Sequence, residues 1–133
     1  MKWMLDTNIC IAIIRRRPEA ALRRLRGKAI GQVGISSLTL AELQYGAARS
    51  REPAAARDAL VEFVLALEVA PFDDAAAAIY GDVRAQLESR GQPIGPIDTL
   101  IAAHALTLDT VLVTNNLREF RRVRGLVVED WLS

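Results

Sequence analysis

Three acids stand where short apolar runs end or apolar helices begin. Asp6 closes "KWMLD" and is followed by Thr7 and Asn8. Glu42 lies inside "LTLAELQYGAARS" among apolar neighbours, and Asp98 with Thr99 opens "IDTLIAAHAL". A polar cluster without charge, Thr114-Asn115-Asn116, closes "TVLVTNN". Each acid has an ordinary use. Asp6 can cap the following helix, Asp98 suits the positive end of a helix dipole, and Glu42 can meet an arginine. If the three meet at one rim, repulsion and desolvation raise their pKa values or force them apart. A divalent cation removes that conflict. An all-oxygen ligand set selects a hard, partly hydrated cation, Mg²⁺ with Mn²⁺ as substitute. Such a site activates water and stabilises charge on a phosphoryl group.

The elements that must position these acids alternate. Strands are expected over 2–6, 32–36, 67–72, 110–114 and 125–130. Helices are expected from Asn8 to Arg17, and from Pro18 in a first turn to Gly27 or Lys28. Further helices follow Ser36 or Ser37 as cap, start at Pro53, span Asp73 to Arg90 with Gly91 as stop, and start at Pro96. In the last, Ile97, Leu100, Ile101, His104, Ala105 and Leu108 fall on one stripe. Short apolar strands alternating with helices predict an α/β fold, a mostly parallel sheet with helices on both faces, in a single domain over 1–133. In such sheets ligands bind at the carboxyl ends of the strands, near the point where strand order reverses. Asp6 and Asn116 follow strands, so both belong there.

Composition narrows the chemistry. The chain has 133 residues, 51% hydrophobic and 5% aromatic, so its core is aliphatic. One cysteine and one histidine argue against a disulfide and against zinc. Cys10 and His104 read as packed residues. No apolar run reaches membrane-spanning length. The opening "MKWMLDTN" lacks a signal peptide's apolar centre, so the expected compartment is the cytoplasm. No dinucleotide or P-loop glycine motif is present. An aspartyl-phosphate phosphatase would need a second Asp where Asn8 stands. The net charge of +1 hides a bias: seven basic residues against Glu19 between Arg15 and Lys28, and four arginines against Glu119 between Arg118 and Arg124. Arg15, Arg16, Arg17, Arg121 and Arg122 are therefore candidates for contact with a polyanion.

The segments "MLDTNICIAII", "ISSLTLAELQYGAARS", "YGDVRAQLESRGQPIGPIDTLIAAHAL" and "VLVTNNLREFRRVRGLVVEDW" together resemble the PIN-domain ribonucleases, specifically the VapC-type toxins of bacterial toxin–antitoxin pairs. The resemblance covers nearly the whole chain. It implies a three-layer α/β/α sandwich and Mg²⁺- or Mn²⁺-dependent cleavage of RNA, tRNA foremost, leaving a 5′-phosphate and a 3′-hydroxyl. The family's motif acids fall on Asp6, Glu42 and Asp98. A fourth position, often Asp in the family, is Asn116 here, which offers a carbonyl oxygen to an ion's water shell but no charge. Glu119 adds an acid if its loop turns inward, and Thr7 and Thr114 look like hydroxyl supports for the carboxylates. The resemblance further implies a homodimer and a cognate VapB-type antitoxin, for which the "NICIAIIRRRPEAALRRL" helices offer an apolar face. The alternative is a non-catalytic PIN-like module that binds RNA or protein.

Overall fold

The computed structural model describes residues 1–133. Its order is β1 (Trp3–Leu5), α1 (Thr7–Arg15), α2 (Glu19–Arg26), β2 (Val33–Ser36), α3 (Ser37–Ala48), α4 (Pro53–Leu65), β3 (Glu68–Ala70), α5 (Asp74–Ser89), α6 (Pro96–Leu108), β4 (Val111–Val113), α7 (Leu117–Phe120) and β5 (Val128–Glu129). The five strands form one sheet in the order β3-β2-β1-β4-β5, and every pairing is parallel. The chain therefore builds outward from β1 on one side, then returns to lay β4 on the other. Strand order reverses between β1 and β4, where Leu5 is level with Val113.

Alternation along the strands divides the core in two. Leu5, Ile35 and Val113 face one way and pack with Ile9 and Ile13 of α1, Ala21 of α2, Leu43 of α3 and Leu60 of α4. Met4 and Leu112 face the other way and meet Val83 and Leu87 of α5, Ile101 of α6 and Phe120 of α7. These are the three layers of an α/β/α sandwich. Strand β2 passes so close to β3 that a Cβ on Gly34 would collide with the Glu68 carbonyl oxygen, which explains glycine inside a strand.

Most helix ends match the expected chemistry. The Ser36 hydroxyl accepts from the Leu38 N–H at 3.1 Å to cap α3, and Asp73 accepts from the Ala76 N–H at 3.1 Å to cap α5. Pro53 and Pro96 occupy first turns, and Gly91 has the positive φ of +65° expected after α5. Two ends differ. Helix α1 stops because Arg16 turns left-handed at φ 57°, before Pro18 is reached, and Pro18 stands at the cap of α2 rather than in its first turn. All five strands are also shorter than the spans expected for them, because flanking residues leave the ladder.

Helix α6 is buried around most of its girth, not along one stripe. Thr99 and Ile101 to Ala105 are all buried, while Ile97 and Leu108 at its ends are exposed. The four-residue helix α7 was not expected at all. Cys10 is fully buried, and burial raises its thiol pKa with help from Asp6, as suits a packed and unreactive residue. At a corner near the chain ends, Trp131 is fully buried beside Trp3, with ring centroids 6.4 Å apart and the Lys28 ammonium 4.2 Å above Trp3. No helix is long and apolar enough to cross a membrane.

Candidate active site

Strand β1 delivers Asp6 to the switch point, where its N–H donates to the Val113 carbonyl of β4 at 3.0 Å. One carboxylate oxygen caps α1 by accepting from the Ile9 N–H at 3.1 Å. The capping role and a place at the rim thus coexist in one residue. Glu42, on the second turn of α3, accepts a short hydrogen bond from the Thr7 hydroxyl. This bond ties the start of α1 to α3. Asp98 stands in the first turn of α6, at the positive end of its dipole. Asp6, Thr7, Asn8, Glu42, Asp98 and Ile101 line one cavity of about 130 Å³.

None of these acids has a cationic partner. The ion pairs in the structure join the N-terminal ammonium to Glu68, Arg24 to Glu129 and Arg84 to Glu88. In place of the arginine expected as a possible mate, Glu42 meets a threonine hydroxyl. The electrostatic consequence is visible at Asp6, whose pKa is raised to about 6. Burial is the main cause; Asp98 and Glu42 add to it, while the Thr114 hydroxyl and the Ile9 N–H oppose it. Asp98 is also shifted upward, by burial first, then by Glu119 and Glu42, with the Asn116 side chain opposing.

Glu119 therefore belongs to the cluster, and α7 is what brings it there. The short helix starts after Asn116 and carries Glu119 in its first turn. The Asn116 amide nitrogen donates to Glu119 at 3.1 Å, and its backbone N–H donates to the Thr114 hydroxyl at 3.0 Å. Nitrogen, rather than the carbonyl oxygen expected to meet a water shell, faces the acids. Three carboxylates thus line the cavity and a fourth, Glu119, adds its charge at Asp98, with only hydroxyl and amide support.

The acids and the threonine hydroxyls at this rim offer oxygen ligands only, the set a hard cation prefers. The acids do not close into a cage: no three Asp, Glu, His or Cys side chains are arranged to grip an ion directly. An open wall with few direct carboxylates suits Mg²⁺, which keeps several waters. The residues present thus fit a hydrated divalent cation better than a fully protein-bound one.

The basic candidates separate. Arg15, Arg16, Arg17 and Arg121 are exposed and take no part in those ion pairs. Arg122 is half-buried; its guanidinium donates to the Pro93 carbonyl at 3.0 Å, and its own carbonyl accepts from Arg90 at 2.7 Å. It fastens the α7 segment to the loop before α6. A groove of about 450 Å³ runs between α1, α3 and α4, with Ile11, Ile14, Leu43 and Leu60 inside and Arg15, Arg49 and Glu42 also lining it. Helix α2, expected to share this face, does not line it.

The family model for the PIN domain matches residues 3–126. The chain belongs to the VapC family of PIN-domain proteins. It is 46% identical over 131 residues to the tRNA(fMet)-specific endonuclease VapC of Shigella flexneri, with 98% of each chain covered. It is 40% identical to Ribonuclease VapC2 of Rickettsia felis, again with 98% of each covered. Its fold superposes on a chain of the DNA-bound VapBC complex from Salmonella typhimurium with a TM-score of 0.93, at 44% identity and 98% coverage of both chains. The acid cavity of this PIN domain thus lies at the sheet's topological switch point, the place where open parallel sheets bind ligands.

Proposed function

We propose that this chain is a divalent-metal-dependent endoribonuclease, the toxin of a toxin–antitoxin pair, acting in the cytoplasm on structured RNA, with tRNA as the first substrate to test. One observation carries the reading: three acids line one cavity at the switch point, Glu119 adds its charge at Asp98, and none of the four has a cation of its own. The names of the Shigella and Rickettsia relatives support ribonuclease activity, and the first of them supports tRNA.

Asp6, Glu42 and Asp98 would hold Mg²⁺ or Mn²⁺, with Asn116 and Glu119 as the adjoining wall. The bound ion would supply positive charge against that building on the phosphate and ease deprotonation of water. The protein's own groups do the rest. Thr7 fixes Glu42, while Thr114 and the Ile9 N–H fix Asp6, so that their free oxygens present fixed acceptors to a water. That water attacks phosphorus in line, the bond to the 3′ oxygen breaks, and that oxygen leaves with a proton. The products carry a 5′-phosphate and a 3′-hydroxyl. Arg15, Arg16, Arg17 and Arg121 hold the RNA backbone, with Arg122 serving mainly as a structural tie. The groove beside Glu42 takes an amphipathic segment of a VapB-type antitoxin, in keeping with the VapBC neighbours. The active form is a homodimer, which sedimentation measures.

The test is cleavage of an RNA panel with Mg²⁺, with Mn²⁺ and with EDTA, beside Asp6→Asn. Metal-dependent cleavage lost in the variant supports the reading. Binding without cleavage under every condition identifies a non-catalytic RNA-binding module.

A further inference from the structure

Glu42 and Asp98 reach the cavity from different helices, so the spacing of α3 and α6 decides whether they face the same ion. Local helix geometry cannot set that spacing. One buried polar contact joins the two helices: His104 Nδ1 and Ser36 Oγ lie 2.8 Å apart, 68 residues distant in sequence. Both residues are at most 1% exposed. Ser36 caps α3 six residues before Glu42, and His104 lies on α6 six residues after Asp98.

Ser36 is the natural donor in this bond. The Ser36 oxygen already accepts from the Leu38 N–H, and its own proton remains free to donate. With Ser36 donating, Nδ1 is the acceptor and the neutral imidazole carries its proton on Nε2. Burial lowers the His104 pKa, which keeps the ring neutral. Phe72 packs edge-on against the ring at 5.3 Å, and its N–H donates to the neighbouring Ser37 hydroxyl at 3.0 Å. The ends of β2 and β3, the start of α3 and the middle of α6 are thus tied at one point.

We infer that His104, through Ser36, is a positioning residue that sets the separation of α3 and α6 and so holds Glu42 and Asp98 in register for one divalent ion. The inference rests on the functional reading above. An apolar residue of similar volume at 104 would fill the space but leave the α3 start free to shift, whereas Asn retains an acceptor near the place of Nδ1.

The experiment is calorimetric titration of Mn²⁺ into RNA-free wild type, His104→Leu and His104→Asn, each checked for folding by circular dichroism. RNA affinity is measured in EDTA in parallel. His104→Leu is expected to bind Mn²⁺ about tenfold more weakly, to keep wild-type RNA affinity in EDTA, and to be largely restored in His104→Asn. A folded His104→Leu with wild-type Mn²⁺ affinity overturns the positioning role while leaving the functional reading intact. Wild type that binds no Mn²⁺ overturns the functional reading and this inference with it. Should His104→Leu fail to fold, Ser36→Gly carries the same titration, since glycine still starts a helix but has no hydroxyl. Unchanged Mn²⁺ affinity there also overturns the role.

Discussion

Asp6 is held ionised at neutral pH against its surroundings. A shift from 3.8 to about 6 corresponds to about 3 kcal/mol of destabilisation once the group is charged. Each fully buried Leu or Ile contributes roughly 1.5–3 kcal/mol, so the flanking Leu5 and Ile9, both fully buried, are enough to hold it in place. Asp6→Asn is therefore expected to abolish cleavage and, in metal-free buffer at pH 7, to raise stability by up to about 3 kcal/mol. Urea unfolding of the two proteins checks the second effect; a destabilised Asp6→Asn protein would show that the carboxylate is needed for the fold itself. Asp6, Glu42 and Asp98 were legible in sequence because acids on otherwise apolar elements stand out. The Ser36–His104 contact was not, since nothing in either local segment announces a partner 68 residues away.

Among the elements, the helix ends were easiest to read, because Ser36, Asp73, Pro53 and Pro96 act through local backbone chemistry. Helix α7 escaped because a four-residue turn has no period to detect, yet it is what turns Glu119 inward. Arg121 and Arg122 are neighbours with equal charge, and only the path of the 91–95 loop separates an exposed cation from a structural tie. Two expectations follow. Arg121→Ala should lower RNA affinity and reduce the slope of log K against log salt by about 1, whereas Arg122→Ala should act first on thermal stability; binding isotherms at several salt concentrations and melting curves distinguish them. Asp73→Ala removes the α5 cap and should cost about 1 kcal/mol with metal affinity unchanged. Since α5 supplies none of the rim acids, a large loss of Mn²⁺ binding in that variant would mean that α5 packing controls the site.

At the scale of the whole molecule, the rim couples stability to pH. The folded state holds the Asp6 proton more tightly than the unfolded chain, so this group's contribution is most favourable below about pH 4. It is lost as pH rises from about 4 to about 6 and is level above that. The difference in unfolding free energy between wild type and Asp6→Asn should follow that window in EDTA and shrink when Mg²⁺ or Mn²⁺ is added; a difference independent of pH would contradict the crowded rim. Sheet order could not be read from the linear pattern, which specified parallel strands but not that β4 would lie beside β1. The paired indoles at the chain's corner carry an optical consequence. Trp3 and Trp131 are the only two tryptophans, they share one environment, and neither lines the acidic cavity. Ultraviolet emission from this protein is therefore a gauge of whether the final residues stay docked against β1. It should remain constant on chelation and redden sharply when the tail is stripped away by denaturant.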